Sequence, residues 1–229
     1  MMQNLCPRPI LQIQRNDSCY PVRLNDLYDP PKQLFIHGDA HLLNMPMIAI
    51  VGSRAASSSG LCHAAFFAQA LSKAGALVIS GLAKGVDGAA HQAVLRLGQG
   101  HLTAAVCGTG LNLTYPREHV GLARAISRQG LLISELPLGA GPKPFHFPRR
   151  NRLIAALALG VVVIEAAEKS GSLITARLAA EMGREVFALP GAINNPLSGG
   201  CHKLIQQGAK LVCNPEEVLE ELIFRKNPI

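Results

Sequence analysis

No part of this sequence stays apolar for the ~20 consecutive residues that a membrane helix needs, because Gly, Ser or charge interrupts each run well before that. The opening MMQNLCPRPI lacks the apolar stretch of a signal peptide, so the expectation is a cytoplasmic protein without membrane contact. Six cysteines (Cys6, Cys19, Cys62, Cys107, Cys201, Cys213) form no C-x-x-C pair, and the eight histidines form no H-E-x-x-H. Those thiols read as buried or inert in a reducing compartment, and no metal site is indicated. There is no G-x-x-x-x-G-K-[ST] loop, which speaks against an ATPase, and no G-x-S-x-G nucleophile elbow. The Ser-rich AASSSG reads as a turn or cap. Tryptophan is absent, and aromatic residues make up only 4% of the chain.

Acidic residues are scarce where it matters. From Ala40 to Ile164 there are 11 Lys/Arg against three acids, Asp87, Glu118 and Glu135. The acids gather later, notably in PEEVLEEL. A basic body of this kind favours a polyanionic partner.

The 229 residues suffice for one large α/β domain. Residues 1–46 are Pro-rich and irregular, with a turn at Asp29-Pro30-Pro31 and a short strand expected at Gln33 to His37. From Met47 onward, apolar strands (MIAIVG, ALVIS, LTAAVC, LLIS, GVVVIE, EVFALP and a weaker AKLV) alternate with helix-like segments. That alternation predicts a doubly wound, mostly parallel Rossmann-like sheet of about seven strands, covered by helices on both faces. The expected division is an N-terminal extension, 1–46, packing on a core of 47–229.

Most Gly-rich or polar clusters follow a strand directly: Gly52-Ser53-Arg54, Ser80-Gly81-Leu82-Ala83-Lys84-Gly85, Gly108-Thr109-Gly110, Ser134-Glu135 and Pro190-Gly191. Lys169-Ser170-Gly171-Ser172 lies just beyond the fifth strand. In an open parallel sheet such loops share the carboxyl edge, where these folds bind ligands, and glycine amides with helix N-termini suit an anion. Gly108-Thr109-Gly110 lacks the third glycine of a dinucleotide fingerprint. Asp87 reads as a helix N-cap, and His91 as core or as a catalytic group. Glu135 and Glu165 are isolated strand-end acids, either structural or contacts for a ribose or base. Paired carboxylates are missing from this rim, so it is better suited to binding phosphate than to breaking bonds.

In KPFHFPRRNRLIAALALG, Pro148 favours a helix start, placing Arg149, Arg150 and Arg152 in the first turns. Three arginines oppose the helix dipole there. They read either as a solvated face or as a phosphate clamp, with Phe145, His146 and Phe147 able to stack on bases.

Taken together, GSR, SGLAKGVDGAAH, GTGLNLTYP, SELPLG, FPRRNRLIAAL, VVIEAAEKSGSLITARLAAEMGREVFALPG and NPLSGGCHKLIQQGAKLV resemble the DNA-processing protein A (DprA/Smf) family, in order, over about residues 18 to 213. The resemblance implies an extended Rossmann fold and a non-catalytic, cofactor-free homodimer. It implies a protein that binds single-stranded DNA, protects incoming strands and loads the RecA recombinase onto them during natural transformation. Carried over by motif, it puts DNA contacts at Gly52, Ser53 and Arg54, with Ser80, Gly81 and Lys84 lining the same pocket. Phe147, Arg149, Arg150, Asn151 and Arg152, the loop Lys169, Ser170, Gly171 and Ser172, and Arg117 complete the set. Many members also carry a helical N-terminal domain and a winged-helix-like C-terminal one; here only about 46 residues precede the core. The competing readings are a phosphoribohydrolase of the lysine-decarboxylase-like family and a nucleotide-sensing module. For the first, Pro190-Gly191-Ala192 lacks the P-G-G-x-G-T signature.

Overall fold

Every residue of MIAIV, strand β3 (Met47–Val51), is buried, as a strand covered on both faces requires. Its side chains alternate between two cores. Met47, Ala49 and Val51 join one cluster, and Ile48 and Ile50 join the other. The computed structural model describes residues 9–222 of the chain; residues 1–8, with Cys6, and 223–229 lie outside the described residues.

The remaining strands are β1 (Ile10–Gln14), β2 (Gln33–Gly38), β4 (Leu77–Ser80), β5 (Thr103–Val106), β6 (Leu131–Ser134), β7 (Gly160–Val163), β8 (Glu185–Ala188) and β9 (Lys210–Leu211). They form one sheet in the order β1-β2-β6-β5-β4-β3-β7-β8-β9. From β3 to β9 all pairings are parallel. The sheet has nine strands rather than about seven, because β1 and β2 add antiparallel at the β6 edge. Strand β1 has a single buried side chain, Ile13, so its apolar signal is that of an edge, not of a core strand. Tyr20, Leu24, Leu34 and Ile36 from this N-terminal region join the core, and the Tyr20 hydroxyl donates to the Pro31 carbonyl at 2.7 Å.

Helices α1 (Ser58–Lys73), α2 (Val86–Arg96), α3 (Val120–Gln129), α4 (His146–Leu157), α5 (Ser172–Glu181), α6 (Gly199–Gln206) and α7 (Pro215–Glu221) link or follow the strands. Phe67 of α1 and Phe187 of β8 are fully buried in one core. Truncating either to alanine would cost ~3–5 kcal/mol. Helix α4 begins two residues before Pro148, which sits in the first turn, where its missing N–H is no loss. Helix α7 starts on an Asn214 cap with Pro215 behind it, its side chain accepting from the Glu217 amide at 3.1 Å.

The order of strands fixes where a ligand can sit. The chain winds outward from β3 to β6, then returns to lay β7 on the other side of β3. The loops after β3 and β7 therefore diverge across one crevice, the switch point of the sheet. They carry Gly52-Ser53-Arg54 and Lys169-Ser170-Gly171-Ser172.

Candidate nucleic-acid interface

A groove of about 510 Å³ opens at that crevice. It is lined by Gly52, Ser53 and Arg54 from one loop, Lys169, Ser170, Gly171 and Ser172 from the other, and Arg150 and Asn151 from α4. A side pocket of about 60 Å³ shares Arg54 and Arg150 and adds Gly81, Lys84, Tyr115 and Phe147. Twelve of the sixteen sequence-predicted residues therefore converge on one continuous surface. Ser80, Arg117, Arg149 and Arg152 do not line it.

The loops are held from within. The Ser53 amide donates to the Glu165 carbonyl at 2.6 Å, and the Val86 amide to the Ser53 carbonyl at 3.2 Å. Gly85, with φ +72°, brings α2 against this loop, where any Cβ would meet the Ser53 carbonyl. The Ser80 hydroxyl is fully buried and donates to the Ile50 carbonyl at 2.6 Å, so it braces two strands. Asp87 is not the cap of α2 but lies inside its first turn, after Gly85. Its carboxylate accepts from the Gly81 amide at 3.1 Å and the Ala83 amide at 3.3 Å.

The arginine cluster divides by role. Arg150 is buried, and one guanidinium nitrogen donates to the carbonyls of both Gly81 and Val106. Its Nε donates to Asn151 Oδ1 at 3.1 Å, and Asn151 donates on to the Gly171 carbonyl at 3.1 Å. One side chain thus ties the ends of β4 and β5 to α4, and Asn151 carries the tie to the β7 loop. Burial pushes the Arg150 guanidinium down and the Asp87 carboxyl up from their ordinary pKa values, and each charge offsets part of the other's penalty. Arg149 grips Glu135 with two hydrogen bonds of 3.2 Å, which hold its pKa above the usual value. Arg152 reaches the same carboxylate at 2.5 Å and the Asp29 carbonyl at 2.7 Å. The negative charge that the sequence withholds near these arginines comes from Glu135 and Asp29, folded back against α4.

Arg54 and Lys169, both exposed, line the groove without a carboxylate partner among the described residues. Lys84 pairs with Glu118 at 2.6 Å, both half exposed, a contact that solvent and salt weaken. Arg54 stands over the Phe147 ring, 5.5 Å from its centroid, and the Tyr115 ring packs against Phe147 with centroids 5.3 Å apart, tilted by 45°. Phe145 is 63% exposed with Lys143 beside it. His146, by contrast, is buried and its Nδ1 donates to the Gly141 carbonyl at 3.1 Å, so it presents no free face for stacking. Tyr115 was missed in the sequence, although its place in TYP beyond the β5 loop was a signal.

His91 behaves as core. Thr103 spends its hydroxyl proton on the Val78 carbonyl, so His91 Nδ1 donates to Thr103 Oγ1 at 2.7 Å. Its Nε2 has no partner, and burial pulls its pKa down to about 3. Burial raises the Cys107 and Cys201 thiols to about 11, which keeps them protonated and unreactive. Of the thiols read as buried or inert, Cys107 and Cys201 are buried, while Cys62 and Cys213 are exposed. Among the described residues no group of three or more His, Cys, Asp or Glu could hold a metal ion, and no helix is long and apolar enough to cross a membrane.

Residues 12–223 match the family model described as DNA recombination-mediator protein A. Protein Smf of Escherichia coli is 49% identical over 213 residues, which is 93% of this chain and 56% of that protein's length. Thus the chain spans little more than half of that relative. DNA processing protein A (DprA) from Streptococcus pneumoniae superposes with a TM-score of 0.89 at 47% identity, covering 93% of this chain and 74% of the other. DNA processing protein A from Helicobacter pylori, a protein whose single-stranded DNA binding mode has been described structurally, superposes with a TM-score of 0.84 at 31% identity, covering 94% and 96%. With the sheet, its switch-point loops and this match along almost the whole sequence in agreement, the chain belongs to the DNA recombination-mediator protein A (DprA/Smf) family.

Proposed function

We propose that the chain binds single-stranded DNA along the switch-point groove, without catalysis. The observation that carries this reading is the pairing state of the rim. Arg54 and Lys169 face the groove without carboxylate partners, whereas its acids are already engaged: Asp87 by two amides, Glu135 by two arginines and Glu165 by Ser57. Such a rim offers cations and amides to phosphates, while these three acids are taken up by contacts within the protein. Phe147 and Tyr115 supply a ring pair beside the cations, the combination of stacking and charge by which single strands are held. The single-strand-binding relative from H. pylori supports the same ligand.

In this reading Arg54, Lys169 and Lys84 contact the backbone together with the amides of Gly52 and Gly171 and the hydroxyls of Ser53, Ser170 and Ser172, and Phe147 contacts a base. Gly81 and Asn151 shape the walls, and Arg150 works from behind them. Arg117, Arg149, Arg152 and Ser80 are peripheral or structural. The protein acts as a cytoplasmic homodimer that protects incoming strands and delivers RecA to them during natural transformation. Residues 1–46 form an extension of the DNA-binding core, 47–229.

A competition assay tests the ligand class. A labelled oligonucleotide bound to the protein should be displaced by unlabelled single strand, poorly by duplex, and not by a panel of mononucleotides, which should also be recovered unhydrolysed. Displacement by a mononucleotide at comparable concentration, or release of free base, would replace this reading with a nucleotide site. RecA delivery is tested by RecA's strand-dependent ATPase on DNA precoated with a single-strand-binding protein. The chain should shorten the lag, and an unchanged lag would remove that part of the proposal.

A further inference from the structure

In open α/β sheets the phosphate of a bound nucleotide rests on the N-terminus of the helix that follows the first strand of the switch-point crevice. Here that helix is α1, and its N-terminus is occupied by the chain's own carboxylate. Glu165, which follows β7 on the far side of the crevice, is buried and accepts from the Ser57 amide at 2.9 Å and the Ser57 hydroxyl at 2.6 Å. Ser57 is the cap of α1, and its Oγ in turn accepts from the Gly60 amide at 3.0 Å. Gly60 faces the carboxylate so closely that any Cβ there would collide with it. Gly52 is tight against the same residue, since a Cβ on it would lie 2.9 Å from the Glu165 carbonyl. Gly60 and Ser57 therefore seat the carboxylate, and Gly52 packs against the backbone that carries it, where a mononucleotide's phosphate would bind.

We infer that Glu165 is a specificity-determining residue that excludes free nucleotides and terminal phosphates by filling this position with a fixed negative charge. Phosphates are then admitted only at the outer rim, by Arg54 and Lys169, which suits the backbone of a strand passing across the groove. The inference rests on the proposed reading of that rim as a phosphate-binding surface and adds its selectivity.

The test uses the full chain, with AMP and inorganic phosphate as probes in calorimetry and a labelled ~35-mer single strand in anisotropy. Wild type should give no saturable binding of AMP or phosphate up to millimolar concentrations. Glu165→Ala, which opens the position and removes the charge, should gain saturable binding of both. Glu165→Gln keeps the shape, loses the charge and exchanges one of the two acceptors for a donor that the Ser57 hydroxyl can accept by turning, so it should stay closed to AMP yet bind the strand severalfold tighter at low salt. Saturable AMP binding to wild type, or a folded Glu165→Ala protein that gains none, would overturn the inference. If the alanine variant does not fold, strand affinity in Glu165→Gln equal to or weaker than wild type overturns it instead. Failure of wild type to bind the strand at all would be seen in the anisotropy arm alone and would count against the proposed function, not against the blocked position.

Discussion

The guanidinium of Arg54 lies over the face of Phe147, 5.5 Å from the ring centroid, although 93 residues of sequence numbering separate loop and helix. Phe147 belongs to the first turn of α4 and Arg54 to the loop after β3. The contact sets a cation and a ring side by side before any ligand arrives, and cation–π pairs of this kind contribute ~0.5–1 kcal/mol when exposed. Arg54→Ala should lower the single-strand log–log salt slope by ~0.7, the value of one neutralised phosphate. Phe147→Ala should weaken binding by ~1–3 kcal/mol, the worth of one stacked base, with no change in slope. Anisotropy titrations of both variants and the double variant check this, and equal effects on slope would contradict the division of roles.

Gly108 has no room for a side chain because Phe147 lies against it. A Cβ there would sit 2.8 Å and 2.9 Å from ring carbons Cδ1 and Cε1. Gly108→Ala should push the ring out of its place under Arg54, weakening strand binding in the direction of Phe147→Ala. Overpacking of this sort costs ~1–3 kcal/mol of stability, measurable by urea denaturation on the same protein.

Among the three arginines of α4, Arg150 is a brace, Arg149 a half-exposed partner of Glu135 and Arg152 a largely buried partner of the same carboxylate. Arg150→Ala leaves two buried carbonyls without their donor and removes the charge that offsets Asp87, so it should cost ~1–3 kcal/mol of folding stability for each carbonyl left unsatisfied. Arg149→Ala breaks a half-exposed pair with Glu135 and should cost no more than ~1 kcal/mol. Denaturant midpoints of the two variants give the comparison. Similar midpoints would mean that Arg150 is not the strut described.

Stability should also fall in mild acid through His91. In the folded chain burial keeps its pKa at about 3, while an unfolded histidine titrates near 6.5. The unfolded state therefore takes up a proton first, and the stability that neutral His91 contributes is complete above pH 6.5 and lost as pH drops toward 3. Between pH 7 and pH 5 the loss is on the order of 2 kcal/mol. Urea unfolding at the two pH values should show it, and His91→Gln should show a smaller drop.

The parallel core was legible because its strands from β3 to β7 are buried along their whole length, as near-continuous apolar runs. Strand β1 was not, since an edge strand with one buried residue leaves no such run. The loops of the site were legible as small, polar strand ends, and Arg54 and Lys169 proved to be cations facing the groove. What the sequence could not give was the pairing. Glu135 lies 14 and 17 residues before Arg149 and Arg152, and Glu165 lies 108 residues from Ser57. Only the sheet brings them together. The same limit hid the burial of Arg150, whose partners are backbone carbonyls with no signature in a one-letter string.

The most direct test is fluorescence anisotropy of a labelled ~35-mer and its duplex across a salt series, with wild type and an Arg54→Ala/Lys169→Ala variant. A groove with two unpaired cations predicts clear preference for the single strand, a steep log–log slope, and a slope shallower by ~1.4 in the double variant. Weak binding that ignores strandedness, with the same slope in both proteins, would contradict it.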